Sequence, residues 1–210
     1  TNIINMAESI KQNVKMRALK QAVKKVFEFQ IEKEIEQKIV VFTESVRTQQ
    51  YIFEELSKCG YEGQILKFNG SSRDSVTKQI YKAWKARNYG KYTGSRNVEI
   101  KNAIVEAFRD EYRILLVTDS GSEGLNLQFC NTIINYDLPW NPQKIEQRIG
   151  RCHRYGQKND VVVINLSFAI LLMYSGSCKF IFYNSVDVLC FLQIYLLEYY
   201  CCNLALAIFL

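Results

Sequence analysis

Three arginines at regular spacing are the strongest chemical feature of the sequence. Arg148, Arg151 and Arg154 lie in the run QRIGRCHRYGQ, residues 147–157, which we call the arginine segment. On a helix, side chains at this spacing share one face. Guanidinium groups stay charged and present a planar fork of donors that matches phosphate oxygens. The pattern is typical of a site that stabilises charge on a transferring phosphoryl group, and equally of a solvated basic helix face.

A second polar segment directly follows a predicted strand. It reads TDSGSEGLNLQ, covers residues 118–128 and is called the glycine loop below. Gly121 and Gly124 allow a ligand to approach the backbone closely. The serine, threonine and asparagine side chains can hydrogen-bond to phosphates or sugars. Taken alone, the loop also fits an ordinary polar connection between a strand and a helix.

Strands and helices alternate along the chain and must position these two segments. Apolar and β-branched runs predict strands at 38–43, 64–68, 113–118, 132–136 and 160–166. Apolar periodicity predicts helices at 7–37, 46–59, 75–88 and 99–109, and a further helix starts at Asn141-Pro142 with asparagine as its N-cap. The alternation predicts an α/β fold, a parallel sheet with helices on both faces, with ligands beyond the carboxyl ends of the strands. We expect the first helix to pack on the domain rather than act as a separate binding helix.

Four segments, in this order, resemble motifs of superfamily-two helicases of the Swi/Snf-related class. The arginine segment resembles motif six in the form Gln-Arg-x-x-Arg-x-x-Arg-x-Gly-Gln. Residues 118–142 resemble motif five and the Asp-x-x-Trp-Asn-Pro segment that follows it. KIVVFTES, residues 38–45, resembles motif four, and LKFNGSS, residues 66–72, resembles the loop after the next strand. The match runs from about Lys38 to Leu166, is closest to bacterial members, and implies a RecA-like helicase C-terminal lobe.

The resemblance implies roles around a bound ATP. Arg151 and Arg154 match the arginines that reach across the interlobe cleft to the phosphates, with Arg154 as the γ-phosphate finger. Gln147 matches the glutamine that faces the nucleotide, whereas for Arg148 structural packing stays open as an alternative. The turn that links nucleotide state to DNA grip is matched by Glu123, Gly124 and Asn126. Residues 1–210 contain no P-loop and no acidic DEAD or DEAH segment, so Mg²⁺ would be held by the N-terminal RecA-like lobe of the same protein.

Double-stranded DNA is the second partner that the resemblance implies. The positions that match contacts near the DNA backbone are Thr43, Asn69, Gly70, Thr118 and Ser120. We expect Asp137, Trp140 and Asn141 to brace the helix of the arginine segment. For Trp140, a core role stays open beside a role in ligand binding.

Residues 73–102, called the basic insertion below, look like an insertion typical of the bacterial members. Its basic side chains are Arg73, Lys78, Lys82, Lys85, Arg87, Lys91, Arg96 and Lys101, against the acids Asp74 and Glu99. Lysine and arginine bind phosphates through counterion release whatever the base sequence. We predict that the insertion contacts duplex DNA through Lys85, Arg87, Lys91 and Arg96, with a solvated helix and mobile loop as the alternative.

Composition places broad bounds on the protein. The formal net charge of +6 fits a partner rich in phosphate. Cys59, Cys130 and Cys152 are scattered, with no CxxC pair and no secretory signal peptide, so we expect reduced thiols in a cytoplasmic protein. His153 stands beside Cys152, and two adjacent residues do not make a zinc site without further ligands, so no metal is expected.

An abrupt change of composition follows the last predicted strand. Only Lys179, Asp187 and Glu198 carry charge after residue 160. We therefore divide the chain into an N-terminal helical linker at 1–37, a helicase lobe at 38–166 and an atypical hydrophobic tail at 167–210. A membrane helix at 188–210 would place Glu198 mid-span, where a carboxylate is costly. We favour a shifted reading frame or a truncated gene, and expect the tail to pack poorly on 38–166.

Three functions remain after the sequence alone. The first is the second motor lobe of an ATP-dependent DNA translocase, inactive without the lobe that carries the P-loop. The second is a non-catalytic nucleic-acid-binding module, and the third is a membrane-anchored protein, which rests on the tail only. The three arginines favour the first.

Overall fold

In a computed structural model, the chain folds into a six-stranded sheet with helices on both faces. The structure describes residues 14–71, 74–89, 95–153, 160–168 and 190–197; beyond residue 166 it describes the backbone only. The helices are α1 Val14–Glu32, α2 Val46–Leu56, α3 Ser75–Arg87, α4 Arg96–Asp110, α5 Asp119–Ser122 and α6 Pro142–Cys152. The strands are β1 Ile39–Thr43, β2 Ile65–Phe68, β3 Ile114–Thr118, β4 Thr132–Asn135, β5 Val161–Phe168 and β6 Cys190–Leu197.

The order of strands across the sheet is β2-β3-β1-β4-β5-β6. The first five strands in this order run parallel, and their carboxyl ends therefore meet at one edge. This confirms the predicted α/β class. β6 was not predicted: it runs antiparallel to β5, with Val161 opposite Leu197 and Phe168 opposite Cys190.

Alternating side chains of the parallel strands form two hydrophobic layers. Val41, Leu116 and Ile134 lie on one face of the sheet, beneath α1 and α2. Phe42, Leu115 and Val163 lie on the other face, beneath α4 and the end of α6. The nearly continuous apolar strands are typical of a parallel sheet that is covered on both sides.

Helix α1 packs on the domain, as the sequence predicts. It buries one stripe at helical spacing, which consists of Met16, Leu19, Ala22, Val23, Val26 and Phe27. Only residues 14–32 of the predicted 7–37 are described as helix; residues 7–13 lie outside the described ranges. Because this stripe belongs to the first hydrophobic layer, α1 is part of the domain core.

Helix α2 ends earlier than the sequence predicts. The α-helix stops at Leu56 and continues as one wide turn at Ser57–Tyr61. Gly60 has a φ of 91°, a left-handed conformation that closes the turn and that side chains disfavour. The glycine therefore does end the helical run, although beyond the end of the regular helix.

Part of the hydrophobic tail joins the sheet. Residues 190–197 form β6, so this stretch is a strand and not the membrane helix considered for 188–210. The backbone of this stretch pairs with β5 along eight residues, and the expectation of a poorly packed tail stays a prediction. Residues 169–189 and 198–210 lie outside the described ranges. In the part of the chain that is described, no helix is both long and apolar enough to span a bilayer.

Candidate functional site

The loops after β2 and β3 touch through their backbones at the carboxyl edge of the sheet. A Cβ atom added to Gly121 would lie 2.7 Å from the carbonyl oxygen of Phe68 and 3.0 Å from the Cα of Asn69. Only glycine fits this approach without displacing backbone. Asn69 and Gly70 are thereby held beside Ser120, and the exposed residues of this group are Gly70 and Ser120.

Thr118 caps the single turn of α5 at the start of the glycine loop. Its Oγ1 accepts a hydrogen bond from the Gly121 N–H at 3.3 Å and lies 3.2 Å from Ser120 Oγ. Thr118 is 4% exposed, so it is a structural cap in this state and does not present its hydroxyl to a nucleic acid. This corrects the DNA contact predicted for the Thr118 side chain, whereas the contact predicted for the exposed Ser120 stays a prediction.

The rest of the glycine loop is held by buried leucines. Leu125 and Leu127 are buried in the second hydrophobic layer, and the Leu127 N–H donates to the carbonyl of Arg151 at 2.9 Å. Between and before these anchors, Glu123, Gly124 and Asn126 are exposed. The loop is thus bonded directly to the end of α6, while Glu123 and Asn126 are left exposed.

Helix α6 carries most of the arginine segment. Asn141 caps it, because its Oδ1 accepts from the Gln143 N–H at 3.0 Å, and Pro142 occupies the first turn as predicted. The helix ends at Cys152 with His153 as C-cap. The expectation that all three arginines share one helix face stays a prediction, because Arg154 lies outside the described residues.

Arg148 is a buried structural residue. It is 2% exposed, and its Nε and Nη2 donate to the two carboxylate oxygens of Asp119 at 2.7 and 3.0 Å. Its Nη1 donates to Asn135 Oδ1 at 2.9 Å and to the Asp137 carbonyl at 2.8 Å. These bonds tie α6 to α5 and to the end of β4, so Arg148 serves packing.

Asp137 is the second residue, after Arg148, whose contacts position α6. Its carboxylate accepts from Lys15 Nζ at 2.8 Å, from Thr43 Oγ1 at 2.7 Å and from the Glu44 N–H at 3.2 Å. Burial acts to raise the pKa of Asp137, but the hydrogen bonds from Lys15, Thr43 and Glu44 outweigh it and lower the pKa below its usual value. Because Thr43 is fully buried and donates to Asp137, its predicted contact with a DNA backbone is corrected to a structural role.

Arg151 and Gln147 differ from Arg148 in their surroundings. Gln147 is exposed, and Arg151 is half-buried. The Arg151 Nε atom is buried and has no hydrogen-bond partner among the described residues. A permanently charged group with an unsatisfied buried donor fits an anionic ligand such as a phosphate better than an apolar contact.

Trp140 is entirely exposed, at 101% of its reference area. It stands in the loop between β4 and α6, one residue before the Asn141 cap. The core role considered for it is therefore wrong. Of the three residues expected to brace α6, Asp137 and Asn141 do so through hydrogen bonds, and Trp140 makes no core contact.

Helices α3 and α4 order most of the basic insertion. Trp84 is buried and donates from Nε1 to Glu106 Oε2 at 2.9 Å, which joins the two helices. Lys85 and Arg96 are exposed beside the Tyr81 ring, at 5.8 and 6.0 Å from its centre. Arg87 is exposed but forms an ion pair with Glu106 at 3.4 Å. Arg73 and Lys91 lie outside the described residues.

A small cleft beside the glycine loop contains Lys101, a basic side chain of the insertion that was not predicted to contact a ligand. The cleft measures about 110 Å³ and is lined by Phe68, Gly70, Asn97, Ile100, Lys101 and Ser120. Lys101 Nζ also lies 3.6 Å from the point that a Cβ atom added to Gly124 would occupy. Within the described ranges Lys101 has no carboxylate partner, so its charge is available at the same edge as Ser120. The sequence signal that could have pointed to Lys101 is its place on α4, next to Ile100, which is buried.

Cys130 and Cys152 form a buried thiol pair next to α6. Neither is part of a disulfide. A hydrogen bond with Cys130, together with burial, raises the pKa of Cys152 well above its ordinary value. The thiol is therefore protonated and unreactive at neutral pH. In the described part of the chain, no three histidine, cysteine or acidic side chains are close enough to hold a metal ion.

Known sequences place the chain in a class. The sequence pattern of the "helicase conserved C-terminal domain" family matches residues 51–156. The chain therefore belongs to this family, and its fold is that of a RecA-like helicase C-terminal lobe.

Individual relatives are similar over shorter stretches. The chain is 45% identical over 93 residues to the uncharacterized ATP-dependent helicase YqhH of Bacillus subtilis, a match covering 42% of this chain and 17% of that protein. It is 51% identical over 51 residues to the RNA polymerase-associated protein RapA of Vibrio cholerae, which covers 24% of this chain and 5% of RapA. The chain thus spans a small part of these relatives' length.

A solved structure has the same fold. The C-terminal part of the Fun30 ATPase domain superposes with a TM-score of 0.51 and 22% identity, covering 73% of this chain and 40% of that one. At this identity the likeness concerns the fold alone.

Proposed function

We propose that this chain is the second motor lobe of an ATP-dependent DNA translocase of the Swi/Snf-related class. The observation that carries the proposal is the contrast on α6: Arg148 is satisfied inside the domain, whereas Arg151 keeps a buried Nε donor without a partner in the described ranges. A partner lobe with bound ATP would supply the missing acceptor. YqhH carries the name of an ATP-dependent helicase, which supports the same class.

On the nucleotide side, this chain would contribute donors and no metal ligands. ATP, when bound, supplies the phosphoryl group that is hydrolysed, with Mg²⁺ held by the preceding lobe. Arg151 and Arg154 would neutralise charge on that group, and Gln147, exposed on α6, would face it. The Leu127–Arg151 backbone hydrogen bond would pass the position of α6 to Glu123, Gly124 and Asn126 in the glycine loop.

On the nucleic-acid side, the exposed groups lie at the carboxyl edge of the sheet. Asn69, Gly70 and Ser120 stand beside the cleft that Lys101 lines. Hydroxyl, amide and lysine groups without base-reading geometry are suited to phosphate contacts, which position a protein on a duplex without reading its sequence. Exposed Lys85 and Arg96 would extend this contact from the basic insertion.

Loss of the arginine fingers tests the proposal. In the full-length protein that contains this lobe, we expect Arg154→Ala to lower DNA-stimulated ATP turnover on the order of 10³-fold, because a finger stabilises the transition state. Arg109→Ala is the matched control: this exposed arginine pairs with Asp110 at the end of α4. Near-normal turnover of Arg154→Ala, or an equal loss in the control, would refute the assignment.

Charge reversal tests the basic insertion. Changing Lys85, Arg87, Lys91 and Arg96 to glutamate should weaken duplex binding. The negative slope of log K against log salt should become shallower by about 1 for each phosphate that is no longer neutralised. The control reverses four exposed charges on or near α1, at Arg17, Lys24, Lys25 and Lys33. Binding measured by fluorescence anisotropy at several salt concentrations decides the outcome. If both variants lose the same affinity, the effect is net charge alone and the insertion has no specific contact.

A further inference from the structure

The first turn of α1 contacts the carboxylate that positions the arginine helix. Lys15 Nζ lies 2.8 Å from Asp137 Oδ1, and the same ammonium lies 4.4 Å from the centre of the Tyr136 ring. The two side chains of the ion pair are 18% and 23% exposed. A pair this shielded is less screened than one at the surface, so its geometry is held more firmly.

Asp137 joins this contact to the interior of the site. Its carboxylate binds Lys15, while its backbone carbonyl accepts from Arg148 Nη1 at 2.8 Å. Arg148 in turn holds Asp119, the first residue of α5 and the neighbour of Ser120. A continuous series of polar contacts thus runs from α1, through the end of β4, to α6 and the glycine loop.

We infer that Lys15 is a positioning residue for the arginine fingers: its ammonium fixes Asp137, Asp137 fixes Arg148, and Arg148 sets where α6 presents Arg151. The inference rests on the proposed function for its effect on hydrolysis. α1 is packed in the domain core, and its hydrogen bond from Lys15 to Asp137 connects it to the series of polar contacts that reaches α6. Without Lys15, the half-buried carboxylate of Asp137 loses its ion pair, and Tyr136 loses its contact with the same ammonium. The segment at 136–138 is then held less firmly.

Lys20 offers a control on the same helix. Its Nζ lies 2.7 Å from Glu55 Oε2, with side chains 32% and 21% exposed. This pair joins α1 to α2 and has no hydrogen bond to the site among the described residues. Lys15 and Lys20 therefore both attach α1 to the domain by an ion pair, and only the first leads to α6.

Steady-state kinetics of the full-length protein separates positioning from stability. For Lys15→Met we expect DNA-stimulated kcat to fall on the order of tenfold, with KM for ATP within about twofold, because misplaced groups affect the transition state more than ground-state binding. Lys15→Arg should restore kcat to within about twofold, since it keeps the charge. Lys20→Met should lower the melting temperature about as much as Lys15→Met and leave kcat unchanged.

Hydrogen exchange of residues 142–152 gives a readout that does not depend on hydrolysis. We expect faster exchange in Lys15→Met than in Lys20→Met, whose α6 should match the wild type. Equal exchange in the two variants, or a normal kcat in Lys15→Met, overturns the role of Lys15. A wild-type protein without ATPase activity overturns the proposed function instead, and the exchange difference then still decides whether Lys15 positions α6.

Discussion

Arg148 and Arg151 lie about one helical turn apart on α6 and have opposite surroundings. Arg148 donates four hydrogen bonds inside the domain, to Asp119, Asn135 and Asp137. Arg151 has a buried Nε without a partner in the described ranges, and its side chain is half-exposed. One residue type at one spacing therefore serves packing at the first position and suits ligand binding at the second.

The two arginines should separate in stability measurements. We expect Arg148→Met to lower the free energy of unfolding by about 3–5 kcal/mol, because it leaves the acceptors of a buried ion pair without a donor. Arg151→Met should change it by less than about 1 kcal/mol, since its buried Nε has no hydrogen bond to lose among the described residues. Urea unfolding of both variants gives the comparison. Similar losses in the two would contradict the structural assignment of Arg148.

At the scale of elements, Asp137 connects α1, β1 and α6 through one side chain and one carbonyl. Thr43 at the end of β1 and Lys15 in α1 both donate to the carboxylate. These partners lie 94 and 122 residues away in sequence. The contact therefore closes large loops of chain, and its stability should depend on the charge of Asp137.

The pH dependence of folding should report this charge. The pKa of Asp137 is lowered in the folded protein, so its contribution is complete above the unfolded value of about 3.9 and is lost as pH falls through the lower folded pKa. We expect Asp137→Asn to be less stable than wild type by a constant amount between about pH 7 and pH 5. The difference should shrink below about pH 4. Urea unfolding at each pH measures it, and a difference that grows on acidification would contradict the lowered pKa.

Local patterns predict the elements well because their causes are local. The Asn141 cap, the proline after it and the apolar runs of the first five strands each depend on neighbours in sequence. The roles of Thr43, Thr118 and Arg148 were open or wrong because burial by distant residues decides them. Trp140 shows the converse, since the sequence left a core role open for this aromatic side chain and the folded loop leaves it fully exposed. Lys101 was overlooked as a site residue because its cleft forms only when α4 packs beside the glycine loop.

At the scale of the whole molecule, the chain is, as we propose, one half of a nucleotide pocket. Its family match and its sheet define a helicase C-terminal lobe, and its 210 residues include no P-loop. The matched stretches are small parts of YqhH and RapA. A lobe of this kind would supply positively charged arginines to an ATP molecule bound by the other lobe.

The isolated chain should therefore not hydrolyse ATP. We expect its turnover, measured with and without duplex DNA, to equal that of a buffer blank, because no loop in it cradles the phosphates. The full-length protein under the same conditions is the control and should show DNA-stimulated turnover. If the purified chain hydrolyses ATP, and the activity stays with it through a second purification step, the assignment is contradicted.

The glycine at position 121 has a consequence for how such a lobe can move. Its Cα lies against Phe68 and Asn69 with no room for a methyl group, so two loops that are far apart in sequence share one surface without any side chain between them. Neither loop can move closer to the other without displacing backbone. A nucleic acid bound there, as we propose, would therefore meet the two loops as one continuous surface.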